Sequence, residues 1–143
     1  MKNTLIDAGP LIALFDKSDK FHDIVKKFLS DYFGSLITTW PVITETTHML
    51  DFNVRVQIDF LKWLYKGAIR IASLRDEHLE RLIELSEKYS DIPMDLADGS
   101  LLVVSELTGI KDIITIDSDY YIYRTKDKRA LKNLLEPYIA PLK

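Results

Sequence analysis

The run Ile113-Ile114-Thr115-Ile116 constrains this chain more than any other feature. It is four β-branched residues in succession, bounded by Asp112 and Asp117. Such a run has no polar alternation, so it suits a strand buried on both faces inside a parallel sheet. Parallel strands cannot be joined by tight hairpins and need long crossovers, usually helical. The rest of the chain should therefore supply short apolar runs separated by helical segments.

The pattern along the chain agrees. Residues 3–6 read as a strand ended by Asp7-Ala8-Gly9-Pro10, and residues 11–15 continue as a short helix. Ser18 or Asp19 caps a second helix running to about residue 33, with Phe21, Ile24, Val25, Phe28, Leu29 and Tyr32 at helical spacing and Gly34 as its C′ glycine. Residues 36–38 form a second strand, and Pro41 opens a third helix. Helical periodicity continues through Val56, Ile58, Phe60, Leu61, Leu64 and Tyr65 to Gly67, and residues 69–72 alternate like a strand. Residues 76–89 read as a helix with Leu79, Leu82, Ile83 and Leu85 inward, and residues 95–107 as another, closed by Gly109. Residues 120–123 look β-like, 125–128 form a turn, and 130–135 fit either strand or helix. The expected architecture is α/β: one domain, residues 1–143, with a mainly parallel central sheet flanked by helices on both faces.

Composition narrows the function. The chain has no cysteine, which excludes disulfides, thiolate metal sites and thiol catalysis. No apolar run reaches the roughly 18–20 residues of a membrane span, and Asp7 interrupts any signal-like start, so a cytoplasmic protein with no membrane partner is expected. The net charge of −3, from 19 basic and 22 acidic residues, argues against a nucleic-acid coating protein. A nuclease that gathers acids around a metal stays open. No phosphate-binding loop, dinucleotide fingerprint or nucleophile elbow occurs.

The acids are placed suggestively. Ligands of open α/β sheets bind beyond the carboxyl ends of the strands, and both Asp7 and Asp117 fall there. Asp95 and Asp98 lie i, i+3 at the start of a helix. Asp95 suits an N-cap, while Asp98 borders the apolar Leu101-Leu102-Val103-Val104 and needs a partner there. Glu45 sits in the early turns of the helix begun at Pro41, and Asp119 lies two positions beyond Asp117. Converging carboxylates repel unless a hard divalent cation neutralises them, and Mg2+ or Mn2+ takes oxygen ligands of this kind. The matching chemistry is phosphodiester hydrolysis. Without the six motif acids, 16 acids face 19 bases, so the acid excess belongs to the proposed site.

At these residues the sequence resembles the PIN-domain nucleases. Leu5-Ile6-Asp7-Ala8-Gly9-Pro10 resembles their opening motif, Val42-Ile43-Thr44-Glu45 their second, Met94-Asp95-Leu96-Ala97-Asp98-Gly99 their third and Thr115-Ile116-Asp117-Ser118-Asp119 their last. The resemblance is in particular to VapC-type toxins. It implies a Mg2+- or Mn2+-dependent endoribonuclease whose metal is held by Asp7, Glu45, Asp98 and Asp117, with Asp95 and Asp119 as secondary ligands. Thr115 and Ser118 are candidates for positioning water or phosphate. The implied partners are an RNA substrate, a small antitoxin protein and a second copy in a homodimer. PIN domains also serve RNA processing, and a non-catalytic RNA- or protein-binding module is a further alternative. Asp117-Ser118-Asp119 also admits an aspartyl phosphatase, although only a short tail follows it.

Other features carry less. Arg124, Lys126, Lys128, Arg129 and Lys132 form the densest basic run, a candidate RNA contact, with Tyr120, Tyr121 and Tyr123 as stacking partners. His22, His48 and His78 lack zinc-ligand spacing. Trp40, Trp63, Met49, Phe60 and Leu64 fall at helical spacings and read as core, with part of 49–65 available to a dimer or antitoxin groove.

Overall fold

The computed structural model describes residues 2–142. Strand β1 (Asn3–Ile6) leads through helices α1 (Ala8–Phe15) and α2 (His22–Asp31) to β2 (Ser35–Thr39). Helices α3 (Trp40–Met49) and α4 (Val54–Tyr65) then lead to β3 (Arg70–Ala72). A 3-10 turn (Asp76–His78), α5 (Leu79–Lys88) and α6 (Leu96–Thr108) return the chain to β4 (Asp112–Ile114). After a second 3-10 turn (Ser118–Tyr121) come β5 (Lys132–Asn133) and α7 (Glu136–Ile139). The sheet order is β3-β2-β1-β4-β5 and every pairing is parallel.

This order explains where a site forms. From β1 the chain steps outward to β2 and β3, then crosses back to β4 on the other side of β1. Right-handed crossovers put helices of the two halves on opposite faces. A crevice opens between β1 and β4, where the stepping direction reverses, at the carboxyl ends of both strands. The isoleucine run lies at the centre: Ile113 and Ile114 are fully buried against Leu5 and Ile6. Among the described residues, no helix is long and apolar enough to cross a membrane.

Several local expectations need correction. Helix α1 begins at once after Asp7, whose side chain accepts from the Ala8 amide. Helix α2 starts at His22, not at Ser18 or Asp19, because Asp19 caps a preceding turn at Phe21. Gly34 is not a C′ glycine: the helix has already ended with Tyr32 extended, and a Cβ at Gly34 would stand 2.5 Å from the Lys2 carbonyl. Asn53 caps α4 and breaks the long helical stretch in two. Leu79 and Ile83 face outward, 54% and 56% exposed. Leu85 is buried as expected and Leu82 packs on the core, while Arg81 is clamped onto Glu106 of α6 by two hydrogen bonds, at 3.0 and 2.8 Å. The β-like residues 120–123 form no strand: Tyr120 and Tyr121 end the second 3-10 turn, and Ile122 and Tyr123 follow it.

Candidate active site

Three acids meet in the crevice. Asp7 follows β1, and its amide donates to the Ile114 carbonyl of β4 at 3.0 Å. Asp117 follows β4 and starts the second 3-10 turn, accepting from the Asp119 amide at 2.9 Å. Asp98 occupies the first turn of α6, where its amide donates to the Asp95 side chain at 2.8 Å. One carboxylate oxygen from each of Asp7, Asp98 and Asp117 lies within 4.8 Å of the others. Asp7 and Asp98 are each only 6% exposed.

The Thr115 hydroxyl links two of them. It donates to Asp7 Oδ2 at 3.0 Å and accepts from the Asp117 amide at 3.0 Å. Thr115 is itself held by Asn133 of β5, which accepts from its amide and donates to its carbonyl. The two-residue strand β5 thus fixes the residue that spaces the acids. Asp98 is held by two buried phenols: Tyr120 donates to Oδ1 and Tyr123 to Oδ2, each at 3.2 Å. Tyr120 and Tyr123 are therefore not available to stack on bases.

The electrostatics are those of crowded, dehydrated carboxylates. Burial pushes the Asp7 carboxyl up to about 7, and the charges of Glu45 and Asp117 add to the effect, against the Ala8 and Thr115 hydrogen bonds. Burial likewise pushes Asp98 up to about 8, helped by Asp7, Asp95 and Asp117 and opposed by the Tyr120 hydroxyl. Glu45 is also raised, by partial burial of its carboxylate and by Asp95 and Asp117. The Tyr120 phenol is driven well above its usual range by burial and by the charges of Asp7 and Asp98, so it stays a proton donor.

The remaining candidates lie outside the close group. Glu45 is exposed on α3, near enough to act on Asp7. Asp95 is the N-cap of α6 and acts on both Glu45 and Asp98. Asp119 starts from the turn that Asp117 caps, and Ser118 is exposed there. Arg124 is folded back onto the carbonyls of Tyr121 and Tyr123. The loop after it is anchored elsewhere. The Lys126 amide donates to Glu106, about 12 Å along α6 from Asp98 at 1.5 Å per residue. Asp127 pairs with Lys111, ahead of β4, and with Arg129. These contacts tie the loop to the far half of α6 and to Lys111, just ahead of β4.

Sequence reasoning missed the supporting roles of Tyr120, Tyr123 and Asn133. The i, i+3 spacing of the two tyrosines was the available signal, since one turn of a helix brings such residues to one side. Nothing local marked Asn133.

The donor set fits a hard divalent cation: three mutually repelling carboxylates, all oxygen donors, with Asp7 and Asp98 buried and Asp117 half-buried. The sequence matches the PIN domain family over residues 4–128, and the chain belongs to that family. Among curated proteins it is similar to Ribonuclease VapC26 of Mycobacterium tuberculosis, with 24% identity over 119 residues that span 82% of this chain and 88% of the relative. Its fold is shared by VapC20 of the same organism, a Sarcin-Ricin loop cleaving toxin. That crystal structure aligns with a TM-score of 0.76 at 16% identity, covering 83% of this chain and 93% of the other.

Proposed function

We propose that this protein is a Mg2+- or Mn2+-dependent endoribonuclease that hydrolyses RNA phosphodiester bonds, and that it acts as the toxin of a VapBC-type pair. The observation that carries the reading is the convergence of Asp7, Asp98 and Asp117 within 4.8 Å at the β1/β4 crevice. Family membership and the ribonuclease relative support it.

In this reading Asp7, Asp98 and Asp117 hold the metal, with Glu45, Asp95 and Asp119 reaching it through water. The bound ion supplies a bound water of lowered pKa and neutralises charge that develops on the phosphate. The chain's own residues do the rest. Thr115 fixes the separation of Asp7 and Asp117. Tyr120 and Tyr123 hold both oxygens of Asp98 and keep it from rotating. Glu45, on the open side, accepts the proton of the attacking water. Ser118 is exposed and free to meet a phosphate oxygen. Arg124, Lys126, Lys128 and Arg129 enter only as contacts for flanking RNA. A small antitoxin and a second copy of the chain complete the proposed partners.

The test is cleavage of single-stranded RNA by chelator-treated protein with and without Mn2+ or Mg2+. Activity should return with metal, and Asp7→Asn should lower it by roughly 100-fold or more. Expression in a bacterial host should arrest growth, and Asp98→Asn should relieve the arrest. Cleavage that survives chelation, or metal-supported cleavage unaffected by both substitutions, contradicts the proposal.

A further inference from the structure

An open groove of about 620 Å3 adjoins the carboxylate group. One wall is the outward face of α3, with Trp40, Thr44 and His48 at i, i+4, i+8. The other is the first turn of α6, with Asp95 and Leu96. Glu45 also lines it, so the groove runs directly into the proposed site. Trp40 reads from the sequence as core, yet it is 54% exposed, and Leu96 is 60% exposed. The residue just before the indole is tied to α6, where the Thr39 hydroxyl bonds to Ser100 at 2.6 Å.

The lining limits what fits. Its two carboxylates, Glu45 and Asp95, outnumber its one imidazole, His48, so the groove disfavours a phosphate. Its apolar members are a flat indole, the Pro41 ring and a leucine, which suit a flat, neutral, partly apolar group. A nucleobase has that chemistry, and it can present its face to an indole only when it is unpaired and unstacked. The geometry points to a base-binding subsite: Trp40 stacks one unpaired base of the RNA beside the cleavage centre, with Leu96 against it. The substrate class is then RNA with a splayed-out nucleotide next to the scissile phosphodiester. This inference rests on the nuclease reading for its substrate but on the groove for its mechanism.

The test uses Trp40 fluorescence in a Trp63→Phe background, which leaves one of the chain's two tryptophans. Short single-stranded oligoribonucleotides are titrated in chelator, with each base replaced in turn by an abasic nucleotide. Trp40 emission should be quenched by the intact oligonucleotide, and the abasic change at one position should remove the quench. Trp40→Leu should weaken binding of the intact oligonucleotide by about fivefold to 150-fold, the effect of losing one base–aromatic stack, and should leave binding of that abasic oligonucleotide unchanged. In cleavage assays Trp40→Leu should raise KM without altering metal dependence. Unquenched emission from protein that cleaves RNA overturns the subsite and leaves the nuclease reading standing. Quenching without any cleavage supports the subsite and removes the nuclease reading. Emission that shifts to the blue with protein concentration alone assigns the face to a second copy of the chain and overturns the inference.

Discussion

Asp98→Asn should stabilise the metal-free protein while removing its activity. Asp98 is buried, and its carboxyl is pushed from 3.8 to about 8 by burial and by Asp7, Asp95 and Asp117. Because the folded-state value lies above the unfolded one, the native state binds the extra proton. Stability is fully present below about pH 4 and is lost as pH rises through about 8. At about 1.4 kcal/mol per pKa unit, holding Asp98 in the metal-free fold costs on the order of 5 kcal/mol near pH 8. Asp7, raised to about 7 by its own burial, keeps part of that strain. Asparagine also gives up charge-assisted bonding to the tyrosines, about 1–2 kcal/mol. The expected net gain is on the order of 2 kcal/mol, a rise in Tm of roughly 5–10 °C. Melting in chelator near pH 8 should show it, and the gain should shrink near pH 5. Added Mn2+ should raise the Tm of the wild type far more than that of the variant. A variant no more stable than wild type near pH 8, or a gain that does not depend on pH, refutes this reasoning.

Other outcomes follow from named contacts. Tyr123→Phe removes one of the two hydroxyls on Asp98 and should weaken apparent metal affinity by about 10-fold, seen as a shift in the Mn2+ dependence of cleavage. Thr115→Val breaks the bridge between Asp7 and the Asp117 amide and should cost about 1–3 kcal/mol in denaturant unfolding, with a loss of cleavage. Glu45→Gln, at an exposed position, should leave metal-free stability nearly unchanged but lower kcat and flatten its rise with pH. Lys126→Ala and Arg129→Ala, anchored away from the acids, should leave cleavage of a short RNA within about twofold and reduce only the salt dependence for longer ones.

What the sequence reveals and what it hides have separate physical causes. Asp7 and Asp117 are legible because each ends an apolar strand run, and the carboxyl ends of parallel strands are where α/β sheets open. Asp98 is legible because a carboxylate beside a fully apolar stretch needs a partner. Its partners are hidden: Tyr120 and Tyr123 resemble a strand, but the 3-10 turn ending at Tyr121 and the bend after it bring both hydroxyls onto Asp98. Asn133 is hidden because its role depends on a two-residue strand pairing across from β4. Leu79 and Ile83 show the limit of periodicity, which marks a stripe but not which of two neighbouring stripes faces the core. Trp40 is misread for a related reason: it is the first residue of α3, with no preceding helical turn to show which stripe it joins.

The most direct test of the central claim is equilibrium Mn2+ binding to the wild-type chain, followed by electron paramagnetic resonance across pH. If Asp7, Asp98 and Asp117 form one site, the ion must displace protons from Asp7 and Asp98. Affinity should then climb steeply as pH rises through about 7 to 8, and either Asp7→Asn or Asp98→Asn should weaken binding and make the climb shallower. Mn2+ binding that is independent of pH in this range, or unchanged by both substitutions, would place the metal elsewhere and contradict the account.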